Sequence, residues 1–185
     1  MTIQKENIME EPDSDFKFHA NTLVFKFRDF FFPRRKILEE AGIKPGFKVL
    51  DYGCGSGSYI RDASDMAGPS GKVYALDINP VAIEIVHQLA FIKQLKNVET
   101  ILSDYNSGLP ASSVDVVLFY DTYHTLKKPE LVMKELHRIL KPEGILSFRD
   151  HYMNESEIME GATRKRLFKL KNKGKRTYSF KKDES

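Results

Sequence analysis

Val49-Leu50-Asp51-Tyr52-Gly53-Cys54-Gly55-Ser56-Gly57-Ser58-Tyr59 is the stretch that decides the fold of this 185-residue chain. Phe47 to Asp51 has the length and the apolar content of a strand. Three glycines at alternate positions follow, and they let the backbone turn sharply and approach a ligand with no Cβ in the way. Gly57 to Ala67 then reads as a helix closed by Gly68-Pro69. A strand, a glycine-rich turn and a helix form the opening unit of an α/β sheet.

Working outward, the same alternation continues. Lys72–Asp77 is a second strand, and Asn79-Pro80 supplies an N-cap and a first-turn proline for a helix to about Leu95. Val98–Leu102 is a third strand, and Val114–Tyr120 a fourth whose nearly continuous apolar run suits a sheet covered on both faces. Pro129 opens a helix to Leu140, Pro142-Glu143-Gly144 stops it, and Ile145–Phe148 is the fifth strand. A helix from Glu155 to about Lys165 comes next. Leu167–Lys171 and Arg176–Lys182 then alternate around a glycine-containing turn, the pattern of a β-hairpin. Strands separated by helices require crossovers and parallel pairing. The expected fold is therefore α/β, a doubly wound, mostly parallel Rossmann-like sheet with a C-terminal antiparallel β-hairpin at one edge.

Ligands of such sheets bind outside the carboxyl ends of the strands, near the switch in strand order. The glycine-rich turn taken alone is also compatible with a simple tight connection. A dinucleotide site is the first competitor, but Ser58 stands where G-x-G-x-x-G counted from Gly53 needs its third glycine. Asp51 beside the loop would repel a pyrophosphate and attract an ammonium. The charge favours a cationic nucleoside.

VLDYGCGSGSY resembles the first motif of the class I S-adenosylmethionine-dependent methyltransferases. Tyr74-Ala75-Leu76-Asp77-Ile78, Ser103-Asp104-Tyr105, Val114 to His124 and His137 to Gly144 resemble the later motifs, in order, over roughly residues 34–150. The resemblance implies the class I methyltransferase fold, S-adenosylmethionine as cofactor and S-adenosylhomocysteine as product. It implies that Asp51 and the backbone of Gly53, Cys54, Gly55 and Gly57 hold the methionine end. Asp77 would take the ribose hydroxyls, with Asn79 beside it, and Ile78 would pack on adenine. Asp104 and the Tyr105 amide would address the adenine edge, and Tyr120 would flank the cofactor. Asp104 also suits a plain turn cap, and Cys54 suits packing better than nucleophilic attack.

The acceptor site is expected over the ends of strands four and five. Tyr123 and His124 are the candidate catalytic residues, His124 as a general base because imidazole titrates near neutral pH. A histidine bonded to a loop carbonyl fits His124 equally, and Asp150 and His151 have the same standing. The (D/N)PP(Y/F) signature of amino-group methylation is replaced by Tyr120-Asp121-Thr122-Tyr123, and no metal site is expected. A type 11 or ubiquinone-biosynthesis-like enzyme with a small, partly apolar acceptor is the reading that survives. The alternatives are an RNA methyltransferase and a non-catalytic cofactor-binding subunit.

Charge and aromatic content are uneven. The overall +3 divides into −4 over residues 1–15, −1 over 16–163 and +8 over 164–185. The first stretch reads as a mobile acidic leader (1–15), residues 16–45 as a helical cap, and 46–185 as the cofactor-binding domain. Seven of thirteen phenylalanines lie between Phe16 and Phe32. On one helix, Phe18, Phe25 and Phe32 would form a second apolar face, lining an acceptor pocket or meeting a partner. Two short helices, each burying its own face, and contact with a membrane surface are the other readings. Arg164 to Lys182 holds ten bases and no acid, which suits a solvated edge hairpin better than nucleic-acid contact. One cysteine, no long apolar run and no basic-then-apolar leader point to a reducing, cytoplasmic setting.

Overall fold

Val49 and Leu50 point to opposite faces of their strand, and both are fully buried. The sheet must therefore be covered on two sides, and the computed structural model, which describes residues 34–184, shows how. The elements in chain order are α1 (Arg34–Ala41), β1 (Lys48–Tyr52), α2 (Ile60–Ala67), β2 (Lys72–Asp77), α3 (Pro80–Ile92), β3 (Val98–Leu102) and β4 (Val114–Tyr120). They continue with α4 (Pro129–Ile139), β5 (Leu140–Arg149), α5 (Glu155–Thr163), β6 (Phe168–Lys173) and β7 (Tyr178–Lys182). Single 3-10 turns lie at Tyr123–Thr125 and Arg164–Arg166.

The strands of the described residues form one sheet in the order β3-β2-β1-β4-β5-β7-β6. The first five pair in parallel, and β7 is antiparallel to both β5 and β6. On one face Val49, Val116, Leu118 and Tyr120 pack with Leu38 of α1, Ile60 and Ala63 of α2 and Val86 of α3. On the other, Leu50, Val117, Phe119 and Phe148 pack with Leu136 of α4 and Ile158 of α5. The apolar run of β4 is thus shared between two cores. The direction of the strand order reverses between β1 and β4, which places the switch point, and any ligand, beyond Tyr52 and Tyr120.

The doubly wound sheet and the hairpin at its edge are as expected, with two local differences. α2 starts at Ile60 and not at Gly57, because the glycine turn is not helical. β5 starts at Leu140, which pairs with Val114. The next pair is Val116 with Ile145, so Lys141 to Gly144 bulge out and Pro142 needs no ladder partner. Within the hairpin, β7 is inserted between β5 and β6, so that Phe180 is fully buried and only β6 faces outward. After Phe168, every residue of β6 is exposed, including Lys169, Lys171 and Lys173, a charged border that discourages pairing with another sheet. The Glu40 carboxylate of α1 accepts the backbone N–H groups of Arg176 (2.9 Å) and Thr177 (3.0 Å), tying the first helix to the hairpin turn. The expected leader (1–15) and the Phe-rich run (16–32) lie outside the described residues.

Phe148 lies in the sheet's second core among other aromatic rings. Its ring centroid is 5.2 Å from Phe119, 5.5 Å from Tyr123 and 6.4 Å from Phe180, and it has no solvent exposure. Phe148→Ala should cost about 3–5 kcal/mol in urea unfolding at unchanged denaturant slope. A loss below about 1 kcal/mol would contradict this packing.

Candidate active site

The glycine turn is built by conformations that side chains resist. Gly53, Gly55 and Gly57 have φ of 79°, 50° and 76°. A Cβ on Gly53 would lie 2.3 Å from Thr122 Oγ1, so this residue is fixed by backbone angle and by space. Gly55 has nothing within 4 Å of its Cβ direction, leaving an open approach to its backbone. The turn is pinned to β2: Gly53 and Cys54 N–H donate to Leu76 O at 2.8 and 2.9 Å, and Gly55 N–H donates to Asp77 Oδ2 at 2.8 Å. Cys54 is buried, and desolvation first, then the nearby Asp77 and Asp51, push its thiol well up. That environment suits a packed, protonated thiol and not a nucleophile.

Asp51 is carried into the sheet by β1 and is 2% exposed. Its Oδ2 is buried with no hydrogen-bond partner among the described residues. Burial and then the Asp77 charge raise its pKa to about 7, and Arg34 partly offsets them. Arg34 and Tyr59 were not among the expected site residues. Arg34 opens α1, is itself buried, and its Nη1 donates to Tyr59 Oη at 2.7 Å, with the guanidinium 4.8 Å from the ring centroid. A carboxylate with a buried, unpartnered oxygen and a buried guanidinium thus flank the switch point, complementary in charge to an ammonium and a carboxylate on one ligand. The signal in the sequence was faint, since Arg34 is one of three consecutive bases and only its position at the helix start sets it apart.

Further along the edge, Asp77 also accepts the Asn79 N–H at Oδ1 (2.9 Å). Asn79 caps α3 through Oδ1 to Val81 N–H (2.9 Å), while its buried Nδ2 has no partner among the described residues. Ile78 is half-buried between them. Asp104 Oδ1 accepts the Tyr105 N–H at 2.7 Å, and the Asp104 carbonyl accepts the Tyr52 hydroxyl, hooking the loop after β3 to the end of β1. From β1 to β3 is two strand spacings, about 10 Å. The edge therefore carries three acidic side chains in a row, Asp51, Asp77 and Asp104, at the ends of successive strands.

The ends of β4 and β5 cross-link through two histidine–aspartate couples. His124 Nδ1 lies 2.9 Å from Asp150 Oδ2, which also accepts the His124 backbone N–H at 3.2 Å. The other Asp150 oxygen accepts Tyr152 N–H at 3.0 Å, and the Asp150 side chain is wholly buried. A carboxylate can only accept, so Nδ1 carries a proton toward Asp150 and Nε2 points away from it. The His124 side chain is 28% exposed, and its ring lies 4.4 Å from that of Tyr152. In the second couple, His151 Nδ1 is 2.6 Å from Asp121 Oδ1, and the Arg149 guanidinium donates to His151 Nε2. Tyr123 goes elsewhere: its ring packs on Phe119 and Phe148 and lies against Gly161. Tyr120 hydrogen-bonds Ser147 Oγ at 2.7 Å and meets Tyr59 edge-on at 4.9 Å, and burial pushes its phenol far up. The structure thus gathers Asp51, the glycines, Asp77, Ile78, Asn79, Asp104 and Tyr105 along one edge, with Tyr120 and His124 beside them. It adds Arg34, Tyr59, Asp121 and Arg149. Among the described residues no group of three or more His, Cys, Asp or Glu is placed to hold a metal.

A family model described as a methyltransferase domain matches residues 43–183. The demethylmenaquinone methyltransferase of Lactococcus lactis is 33% identical over 143 residues, covering 75% of this chain and 55% of that protein. The protein of the same name from Geobacillus stearothermophilus is 29% identical over 123 residues, covering 66% and 53%. This chain spans about half the length of the curated relatives it matches. Among solved structures, a SAM-dependent methyltransferase from Aquifex aeolicus superposes with a TM-score of 0.72 at 28% identity, covering 80% of this chain and 87% of that one. The matched span takes in β1 to β7 and every site residue described above except Arg34, and the chain belongs to the class I S-adenosylmethionine-dependent methyltransferase family.

Proposed function

We propose that this chain binds S-adenosylmethionine and transfers its methyl group to a small, partly apolar acceptor. The observation that carries the reading is the buried Asp51 carboxylate, with one oxygen unpartnered among the described residues, near the Arg34 guanidinium at the switch point. Asp51 would hold the ammonium and Arg34 the carboxylate of the methionine end, over the backbone of Gly53, Cys54, Gly55 and Gly57. Asp77, which accepts the Gly55 and Asn79 N–H groups at this edge, would take the ribose hydroxyls. Asn79 Nδ2, without a partner among the described residues, would serve the same hydroxyls, Ile78 would pack on the base, and Asp104, whose Oδ1 holds the Tyr105 N–H, would address its polar edge with that residue. When bound, the cofactor supplies an electrophilic methyl on a sulfonium.

The remaining work falls to the chain's own residues. Tyr59 and Tyr120 form an aromatic wall that excludes water, and both phenols stay protonated because burial raises them. His124 Nε2 takes a proton from an acceptor hydroxyl or acidic carbon as attack proceeds, while Asp150 holds the ring and stabilises the imidazolium. Tyr123 is a positioning residue that anchors the turn carrying His124. The names of the relatives support a quinone-precursor-like acceptor, a ring that is apolar apart from ionisable oxygens.

Calorimetry with S-adenosylmethionine and S-adenosylhomocysteine tests the reading first. Binding at micromolar concentration is expected, and no binding of either at millimolar concentration would overturn it. Asp51→Asn should weaken S-adenosylmethionine at least 100-fold. Its effect on the free protein has the opposite sign. The raised pKa means that the folded state keeps a proton the unfolded chain releases, so the stability linked to Asp51 is lost as the pH rises through about 7. In thermal unfolding, Asp51→Asn should gain up to about 4 kcal/mol over the parent at pH 8, and the gain should vanish near pH 4. An equal effect at both pH values would contradict the burial argument. His124→Gln should lower kcat about 10²–10⁴-fold, with S-adenosylmethionine affinity within twofold. A loss of affinity as large as the loss of kcat would place His124 in cofactor binding instead.

A further inference from the structure

The basic tail had no role in the site assembled so far, yet its turn is not remote from it. Because β7 runs antiparallel to β5, the β6–β7 turn returns to the carboxyl end of the sheet. There a cleft of about 240 Å³ opens between the end of β5, the start of α5 and the turn. Arg149, His151, Lys173, Lys175, Arg176 and Thr177 line it. Asp150 and His151 belong both to this cleft and to the two histidine–aspartate couples, so the cleft adjoins His124.

The carboxylates around the cleft are already committed. Both Asp150 oxygens accept hydrogen bonds from the loops that hold them. Glu155 pairs with Lys173, and Glu40 Oε2 takes the Arg176 and Thr177 backbone N–H groups. Two cations remain unmatched. Lys175 has no ion pair among the described residues. Arg149 donates only to His151, a neutral acceptor at that nitrogen, and its Nη1 is buried with no hydrogen-bond partner among the described residues. A buried guanidinium nitrogen without an acceptor costs free energy that a ligand oxygen would recover. The cleft is smaller than the roughly 300–1,000 Å³ of pockets that enclose a whole drug-sized ligand. It is sized for an end group.

Resting on the methyltransferase reading and extending it, we propose that this cleft holds an oxyanion, a carboxylate or phosphate, carried by the methyl acceptor. Arg149 provides the buried contact, Lys175 closes over it from the turn beside Arg176, whose guanidinium is held 3.9 Å from Glu40, and the acceptor's ring is thereby directed toward His124. The substrate class becomes an acidic, ring-bearing acceptor. The +8 tail then supplies a selectivity device at its turn, and β6 remains a solvated edge.

Calorimetric titration of the full chain with 2-naphthoate, its uncharged methyl ester, 2-naphthyl phosphate and inorganic phosphate tests the proposal. 2-Naphthoate or 2-naphthyl phosphate should bind at least tenfold more tightly than the ester, and whichever is tighter identifies the anion. Arg149→Gln and the exposed Lys175→Ser should each weaken the preferred anion at least fivefold, with S-adenosylhomocysteine affinity within twofold. Lys171→Ser, on the outer strand, should leave both unchanged. Equal binding of acid and ester, or no response to either Arg149→Gln or Lys175→Ser, would overturn the cleft. A structured RNA that displaces the naphthoate and loses affinity at least 10³-fold between 50 and 200 mM salt would also overturn it, in favour of phosphate-backbone contact. Intact S-adenosylhomocysteine binding alongside failed naphthoate binding removes the cleft alone. The reverse pattern removes the methyltransferase reading and leaves an anion site.

Discussion

β1 carries the Asp51 carboxylate to the centre of the sheet, and taking that charge out of water constrains everything built around it. Val49 and Leu50 beside it are fully buried, so the strand cannot shift to expose the acid. Asp77 adds repulsion, and Arg34 relieves only part of the cost, leaving the pKa near 7. A buried, half-satisfied carboxylate is expensive for folding alone. In the proposed function a cation would pair with its unpartnered oxygen. The positive-φ turn, the hydrogen bonds from the turn to Leu76 and Asp77, and α1 with its Arg34 hold that arrangement in place.

The second half of the site depends on a different device. β4 and β5 end side by side, and each contributes one histidine and one aspartate to the couples that bind them together. In one couple the aspartate is buried and the imidazole Nε2 faces away from it. In the other, Arg149 occupies the outer nitrogen. In the proposed reaction the same chemical pair would serve as base and orienter on one side, and it supports a cation on the other. Glu40 joins this half to the first, since the helix that begins with Arg34 ends on the hairpin turn.

Most of the sheet was legible in the sequence. β2, β3 and β4 have the bounds their apolar runs suggested, because each run is flanked by turn residues and filled with residues that two faces can bury. The fifth strand was cut short because Pro142 and Gly144 read as a stop, whereas tertiary pairing of Leu140 with Val114 carries the strand past them as a bulge. The hairpin was visible in its alternation and is at an edge as expected, but which of its strands pairs with β5 was not legible, since nothing local says that β7 is inserted against β5. In the site, the glycines, Asp51, Asp77 and Asp104 were readable because they fall in consecutive segments after successive strands. Arg34, Asp121 and Arg149 were not. Each acts through a partner distant in sequence, Tyr59 or His151 by hydrogen bond and Asp51 by charge, or stands beside a more conspicuous residue. Tyr123 and His124 are neighbours that looked equivalent, yet one ring enters the aromatic core and the other turns to Asp150.

In the proposed function the Asp51 carboxylate, partly protonated in the free protein, meets the ammonium of the cofactor. Calorimetric titration with S-adenosylmethionine at pH 7, in two buffers of different ionisation enthalpy, measures the protons exchanged on binding. Binding should release about half a proton at pH 7 and more at pH 6, as expected for a group with a pKa near 7 driven to its ionised form. Binding with no proton release, or the same release from Asp51→Asn, would contradict the account.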